Sequence, residues 1–224
     1  MADRKASIPT TTVGRGLAAL SIGALVLLAM LVAGSLLIAG NADAFDPAIL
    51  LALRLSTGDA GQGIALASGV TSFGNDVTLW IVTALAAGYL AAARDRGTAL
   101  RLCGTAASGG LVTTAIKIVV ARPRPDVVAH LVAVHPPSFP SGHATNSAVV
   151  YGTLALIAAE RASSRAVRLY LCVACVGLVC SIGATRVILG VHWPSDVLSG
   201  WAIGSGWALL AYHVFLRFLS RTRS

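Results

Sequence analysis

Apolar residues along this chain gather into runs that carry no charge, and the charged residues are confined to the gaps between them. The first run covers residues 17–39. As an α-helix rising about 1.5 Å per residue it reaches roughly 34 Å, enough to cross the hydrocarbon core of a bilayer. Further charge-free runs follow at 77–93, 102–116, 144–159, 169–185 and 197–216. Between the first two runs, Asp46, Pro47, Asp59, Gly61, Gly63 and Asp76 separate two short apolar pieces near 48–55 and 64–73, which predicts interfacial helices. The pattern therefore predicts an all-α integral membrane bundle of six transmembrane helices, with short interfacial helices between helices one and two. Some runs are short for a full crossing, so their ends must take in flanking polar residues. There is no internal repeat, low-complexity tract or soluble appended domain, and residues 1–224 read as a single membrane domain with cytoplasmic tails at 1–16 and 217–224. A cleavable signal peptide is the rival reading of the first run, since Arg4, Lys5 and Arg15 precede it and Ala42-Asp43-Ala44 follows it. The run is longer than the usual apolar region of about 7–15 residues, which favours a retained helix.

Composition agrees with lipid burial. The chain is 56% hydrophobic and only 12% charged, against about 25% charged for a soluble domain. Its formal net charge of +8 does not imply nucleic acid, because the Lys and Arg residues sit in short gaps between apolar runs rather than on a polar face. Cys103, Cys172, Cys175 and Cys180 lie inside apolar stretches without the paired spacing of a zinc site and read as small buried hydrophobes. With six spans and a cytoplasmic N-terminus, 12 of the 17 Lys and Arg residues fall inside, leaving Arg54, Lys117, Arg122, Arg124 and Arg186 outside. That asymmetry follows the positive-inside rule, so cations kept on the outer side need another reason.

Three clusters at the predicted outer helix ends supply one. In Lys117-Ile-Val-Val-Ala-Arg122-Pro-Arg124-Pro125, a lysine inside an apolar helix calls for an anionic partner, though snorkelling and lipid headgroup binding would also account for these cations. In Ser138-Phe-Pro140-Ser141-Gly142-His143, a helix start would aim backbone N–H groups at an anion, with Gly142 allowing close approach; an ordinary N-cap with an interfacial histidine is the plainer alternative. In Thr185-Arg186-Val-Ile-Leu-Gly-Val-His192-Trp-Pro-Ser-Asp196, the i to i+4 spacing lets Asp196 reach a ring nitrogen of His192 and fix its tautomer, or merely satisfy an interfacial histidine. Together they offer the cations Lys117, Arg124 and Arg186, a helix N-terminus, two histidines and an orienting carboxylate. Phosphoryl transfer needs this set: cations to clamp the phosphoryl oxygens, one histidine to attack and the other to protonate the leaving oxygen. Which histidine attacks is left open by the residues alone. The outer acids Asp43, Asp46, Asp59, Asp76, Asp126 and Asp196 are scattered along the sequence, so no metal site or cofactor is expected.

The three clusters resemble the signature of the type 2 phosphatidic acid phosphatase superfamily, which includes vanadium-dependent haloperoxidases. Lys117 to Arg124-Pro125, then Pro140-Ser141-Gly142-His143, then Arg186, His192 and Asp196 match its pattern at its spacings, with Thr185 in place of the usual serine. The resemblance implies that His192 is the nucleophile, forming a phosphohistidine, that Asp196 orients it, and that His143 is the general acid. It implies too that Lys117, Arg124, Ser141, Gly142 and Arg186 hold the phosphoryl oxygens. The implied partner is a lipid phosphate or diphosphate drawn from surrounding membrane lipids, such as undecaprenyl diphosphate, phosphatidic acid, phosphatidylglycerol phosphate or a lipid A phosphate. An outer-facing site in a bacterial plasma membrane is expected. Phosphotransfer to another acceptor is the alternative within enzymes, and a small transporter or lipid-binding protein the alternative outside them. His130, His135 and His213 are assigned no catalytic role; Trp80, Trp193 and Trp201 with Tyr89, Tyr170 and Tyr212 read as interfacial belts, and Gly200 with Gly204 as a helix-packing face.

Overall fold

Helices form where the sequence supplies both an apolar run and a start signal. The computed structural model describes residues 45–54, 60–135 and 137–221, so the first apolar run and the 1–16 tail lie outside the described residues. Seven helices follow: α1 (Asp46–Leu53), α2 (Ala60–Ser72), α3 (Asp76–Ala92), α4 (Arg96–Val120), α5 (Gly142–Arg161), α6 (Arg165–Ile188) and α7 (Pro194–Arg221). No strand occurs among the described residues. Asn75, Asp95 and Ser164 cap α3, α4 and α6 by accepting from the backbone N–H groups of Thr78, Thr98 and Val167, which satisfies donors a helix start leaves unpaired. Helix α4 stops at Ala121, whose left-handed backbone (φ 47°) turns the chain out toward Arg122.

Helix α5 is central, packed along α7, α6, α4 and α3, while α2 lies on α6 and α1 touches α6 and α7. Its contact with α7 is close because α7 presents glycine: a Cβ on Gly204 would stand 2.3 Å from the Thr145 carbonyl oxygen, and one on Gly200 would stand 2.9 Å from the Ala144 Cβ. The small-residue face expected at Gly200 and Gly204 thus docks α7 against α5. The outer surface is apolar, with Leu85 and Tyr89 on α3, Leu111, Ile118 and Val119 on α4, and Leu169, Tyr170, Val173 and Val176 on α6 all exposed. Val119 is 83% exposed, a position that lipid rather than water accommodates.

Helices α4 and α6 are long and apolar enough to cross a membrane, and residues 61–72 of α2 with α3 do so as a pair bent by 44°. Two or three candidate spans are therefore present among the described residues, which leave out the first predicted span at 17–39. Helix α5 is long but carries polar side chains such as Asn146, Ser147 and Thr153, which lowers its hydropathy without shortening it. Two expectations are corrected. Tyr212 is not an interfacial belt residue; it is buried, donates to Glu160 Oε2 at 2.7 Å and lies under the Arg101 guanidinium. The four cysteines are not in the core either, since Cys180 is exposed and Cys103, Cys172 and Cys175 are half-buried, all as free thiols.

Candidate active site

The three clusters arrive at one end of the bundle: the last turn of α4, the loop 121–141, the first turn of α5, the last turn of α6 and the α6–α7 turn. In that turn Gly190 adopts φ +72°, a conformation that would strain any side chain, and the reversal swings His192 back over the helix ends. A cavity of about 600 Å³ lies there, and Lys117, Arg124, Gly142, His143, Arg186 and His192 all line it, with His135, Thr71 and Asp76.

His192 is 2% exposed. Its Nδ1 lies 3.4 Å from Asp196 Oδ2 and 3.4 Å from Ser138 Oγ. A carboxylate can only accept, so Nδ1 carries the proton and Nε2 keeps the lone pair. Arg124 Nη1 donates to that Nε2 at 3.1 Å and to the Val191 carbonyl at 2.6 Å, and the Arg124 fork also grips the His135 carbonyl at 2.7 and 2.9 Å. Burial holds the His192 imidazole down to about 3, against the pull of Asp196 in the other direction, with Arg124 and Arg186 adding to the depression. Burial likewise lowers Arg124 from its ordinary value, opposed by Asp196.

Asp196 is fully buried and held from several sides. Ser138 Oγ and the Trp193 N–H donate to its Oδ2, the latter at 3.0 Å, while Arg122 Nη1 donates to Oδ1 at 2.7 Å. Arg122 also donates to Ser195 Oγ at 2.8 Å and to Asp46 Oδ2 at 2.9 Å, and Asp46 Oδ1 accepts from the Ser195 N–H at 2.9 Å. Arg122 therefore bridges two buried carboxylates from α1 and α7, and its guanidinium stacks over Trp193. Lys117 Nζ donates to the Pro137 carbonyl at 3.1 Å, and Arg186 Nη1 to Thr71 Oγ1 at 3.0 Å. Arg186 Nε and Ser141 Oγ, both buried at this end, have no partner among the described residues, and neither does Arg54 Nε beside Gly190. Ser141 stands at the N-cap of α5 yet its side chain makes no capping bond. An added Cβ on Gly142 would meet only Lys117 Cε, at 3.6 Å, so the first turn of α5 faces open space.

A family model described as the PAP2 superfamily matches residues 98–219, more than half of the chain. The chain belongs to the PAP2 superfamily. Decaprenylphosphoryl-5-phosphoribose phosphatase of Mycobacterium tuberculosis is 34% identical over 163 residues, covering 71% of this chain and 85% of that protein. Lipid A 1-phosphatase of Rhizobium etli is 30% identical over 171 residues, covering 66% of this chain and 69% of its own length. In fold, the chain resembles the transmembrane PAP2-type phosphatidylglycerolphosphate phosphatase of Bacillus subtilis, with a TM-score of 0.70 over 91% of this chain and 97% of that one at 22% identity. These relatives are named as phosphatases of lipid-linked substrates, and the chain is a phosphatase of the same superfamily.

Of the eight site residues read from the sequence, six of this PAP2 chain line the cavity; Ser141 and Asp196 stand buried behind it. Sequence reading missed three residues. The sequence gives Arg122 no role beyond the alternative of lipid headgroup binding, sets Asp46 among scattered acids and gives Ser138 no role, yet all three converge on Asp196 directly or through Arg122. The acids are therefore not all apart: Asp46 and Asp196 are joined by one guanidinium. Asp-Pro at a helix start was the available signal for Asp46. His130 has a structural task, with Nε2 2.8 Å from the Pro125 carbonyl, and His135 contributes a carbonyl that orients Arg124.

Proposed function

We propose that this PAP2 protein is a metal-independent phosphatase of lipid phosphates or diphosphates, working through a phosphohistidine on His192 at the outer face of a bacterial plasma membrane. The observation that carries the reading is the polarity of the His192 ring: Nδ1 is turned to Asp196, and Nε2 is turned with Arg124 toward a cavity ringed by Lys117, Arg186 and His143. Nε2 attacks phosphorus and the bond from phosphorus to the leaving oxygen breaks; His143, which burial and then Arg186 hold down to about 3, takes the proton that a phosphate monoanion brings and delivers it to that oxygen. Water then attacks the phosphohistidine, with His143 taking its proton, and inorganic phosphate leaves.

Uncatalysed phosphate-monoester hydrolysis needs accelerations of up to roughly 10²¹-fold, so charge stabilisation has to be extensive. Lys117, Arg124 and Arg186 supply permanent cations, and the first-turn N–H groups of α5 add the positive end of a helix. The unpartnered Ser141 Oγ and Arg186 Nε are groups that a phosphoryl oxygen would satisfy. The outer placement rests on charge: the cavity lies at one end of the bundle, while Arg94, Arg96, Arg161, Arg165 and Arg168 mark the opposite helix ends.

Phosphate release by the purified protein in detergent, with EDTA present, tests this on undecaprenyl diphosphate, phosphatidic acid, phosphatidylglycerol phosphate and a lipid A phosphate. Release should continue under EDTA, be inhibited by vanadate occupying the phosphate site, and fall at least about 10³-fold in His192→Ala. Activity lost to EDTA and restored by Mg²⁺, or retained in His192→Ala, would contradict it.

A further inference from the structure

A second cavity, of about 290 Å³, opens between α3, α4 and α5 and is mostly apolar, with Leu79, Trp80, Leu111 and Val150 in its walls. It shares three residues with the 600 Å³ cavity: Asp76, Thr114 and Asn146. A lipid phosphate with its phosphorus among the cations and its chain in the apolar space would place the group joining them, the leaving side of the ester, at this junction.

The junction is built around a carboxylate. Asn146 Nδ2 donates to Asp76 Oδ1 at 3.2 Å, and Thr113 Oγ1 reaches Asn146 Oδ1 at 2.9 Å. Since Asp76 can only accept, the Asn146 amide must turn its nitrogen to Asp76, which fixes the pair in one orientation. Asp76 is not occupied as a helix cap, because Asn75 holds that position and bonds the Thr78 N–H. Its Oδ2 has no protein donor among the described residues and Asp76 is exposed to the cavity. An acceptor-only, negative group beside a phosphate site favours ligand groups that donate, and it repels a second phosphate.

We propose that Asp76, oriented by Asn146, reads hydroxyl groups on the leaving side of the ester, so that the preferred substrate is a phosphomonoester of a hydroxylated lipid headgroup rather than a prenyl diphosphate. This rests on the phosphatase reading above. Hydroxyl donors from a glycerol or sugar headgroup satisfy Oδ2, whereas the second phosphate of a diphosphate would face it with like charge.

The test compares kcat/KM of the full-length protein in detergent on 1-O-dodecylglycerol 3-phosphate, which has a free hydroxyl and no second phosphate on its leaving side, farnesyl phosphate and farnesyl diphosphate. Wild type should favour the hydroxylated ester over farnesyl phosphate by about tenfold or more, the worth of one hydrogen bond to a charged acceptor. That ratio should fall about tenfold in Asp76→Ala and in the near-isosteric Asp76→Asn, less in Asn146→Ala, while the ratio of diphosphate to monophosphate turnover rises. Ratios that move less than twofold in both Asp76 variants, or a wild type that prefers the diphosphate, would overturn the proposal. Absence of phosphate release from all three esters by wild type would instead bring down the phosphatase reading, and this proposal with it.

Discussion

His192, Asp196 and Arg122 form a line of decreasing legibility. The first two were found because their four-residue spacing is a pattern, and because a carboxylate one helical turn from an imidazole can reach its ring nitrogen. Arg122 stands two residues from Arg124 in the same Arg-Pro-Arg run, and nothing in the sequence tells which guanidinium faces the cavity and which faces the carboxylates. Pro123 stands between them, and the structure turns Arg122 to Asp46 and Asp196 and Arg124 to His192. Because Arg122 neutralises two buried carboxylates, Arg122→Ala should lower stability by about 3–5 kcal/mol, and Arg122→Lys should recover little because an ammonium cannot span both. Thermal or denaturant unfolding in detergent reads this, and a loss under about 1 kcal/mol would mean that the bridge is not formed. His192 makes a second prediction. Its folded-state value near 3 lies below the ordinary value near 6.5, so unfolding takes up a proton at this residue as pH falls through that window, and the folded state weakens there. His192→Gln should flatten the loss of thermal midpoint between about pH 6.5 and pH 4. The neutral Nε2 also persists across that window, so the acid limb of kcat/KM should not carry a His192 step near 6.5.

At the scale of helices, charge-free runs located every described element from α3 onward, matching α3 to within one residue at each end but clipping both ends of α4 to α7. The run 102–116 became Arg96–Val120, and 197–216 became Pro194–Arg221. A charge-free run records what hydrocarbon excludes, whereas backbone hydrogen bonding continues into the interface, where Arg and Lys reach water along their stems. That extension places Lys117 in the last turn of α4, beside the cavity. Tyr212 was misread for a related reason, since its position near a helix end says nothing of which face it occupies, and it faces Glu160 and Arg101. Glycine contacts were legible as a packing face but not as a dimension: with the Thr145 carbonyl 2.3 Å from a Cβ on Gly204, even Gly204→Ala should cost about 1–3 kcal/mol and lower the thermal midpoint. Gly74, in the α2–α3 turn, was not read at all. A Cβ there would meet Ile182 Cγ2 at 2.4 Å and His143 Cδ2 at 3.3 Å, so Gly74→Ala should force Ile182 and the α2–α3 turn apart, crowd His143 by a few tenths of an ångström, and lower both the thermal midpoint and phosphate release.

For the whole molecule, the distribution of charge and the convergence of the clusters describe one design. Arginines collect at the ends of α3, α4, α5 and α6 away from the cavity, where Arg161 pairs with Asp95, while Lys117, Arg124 and Arg186 at the other end are turned inward around the 600 Å³ cavity. The sequence carried the set of side chains that converge on the cavity because spacing survives without coordinates; it did not carry the network linking α1 to α7, because Asp46 and Asp196 are joined only through a third residue from the loop after α4. The most direct test of the account is to trap the covalent intermediate. Protein mixed with a labelled lipid phosphate should be quenched at alkaline pH, where a phosphoramidate bond survives, and its peptides mapped. The account predicts phosphate on the peptide carrying His192, and none in His192→Gln. Label on His143 or on a serine, or rapid turnover by His192→Gln, would contradict it.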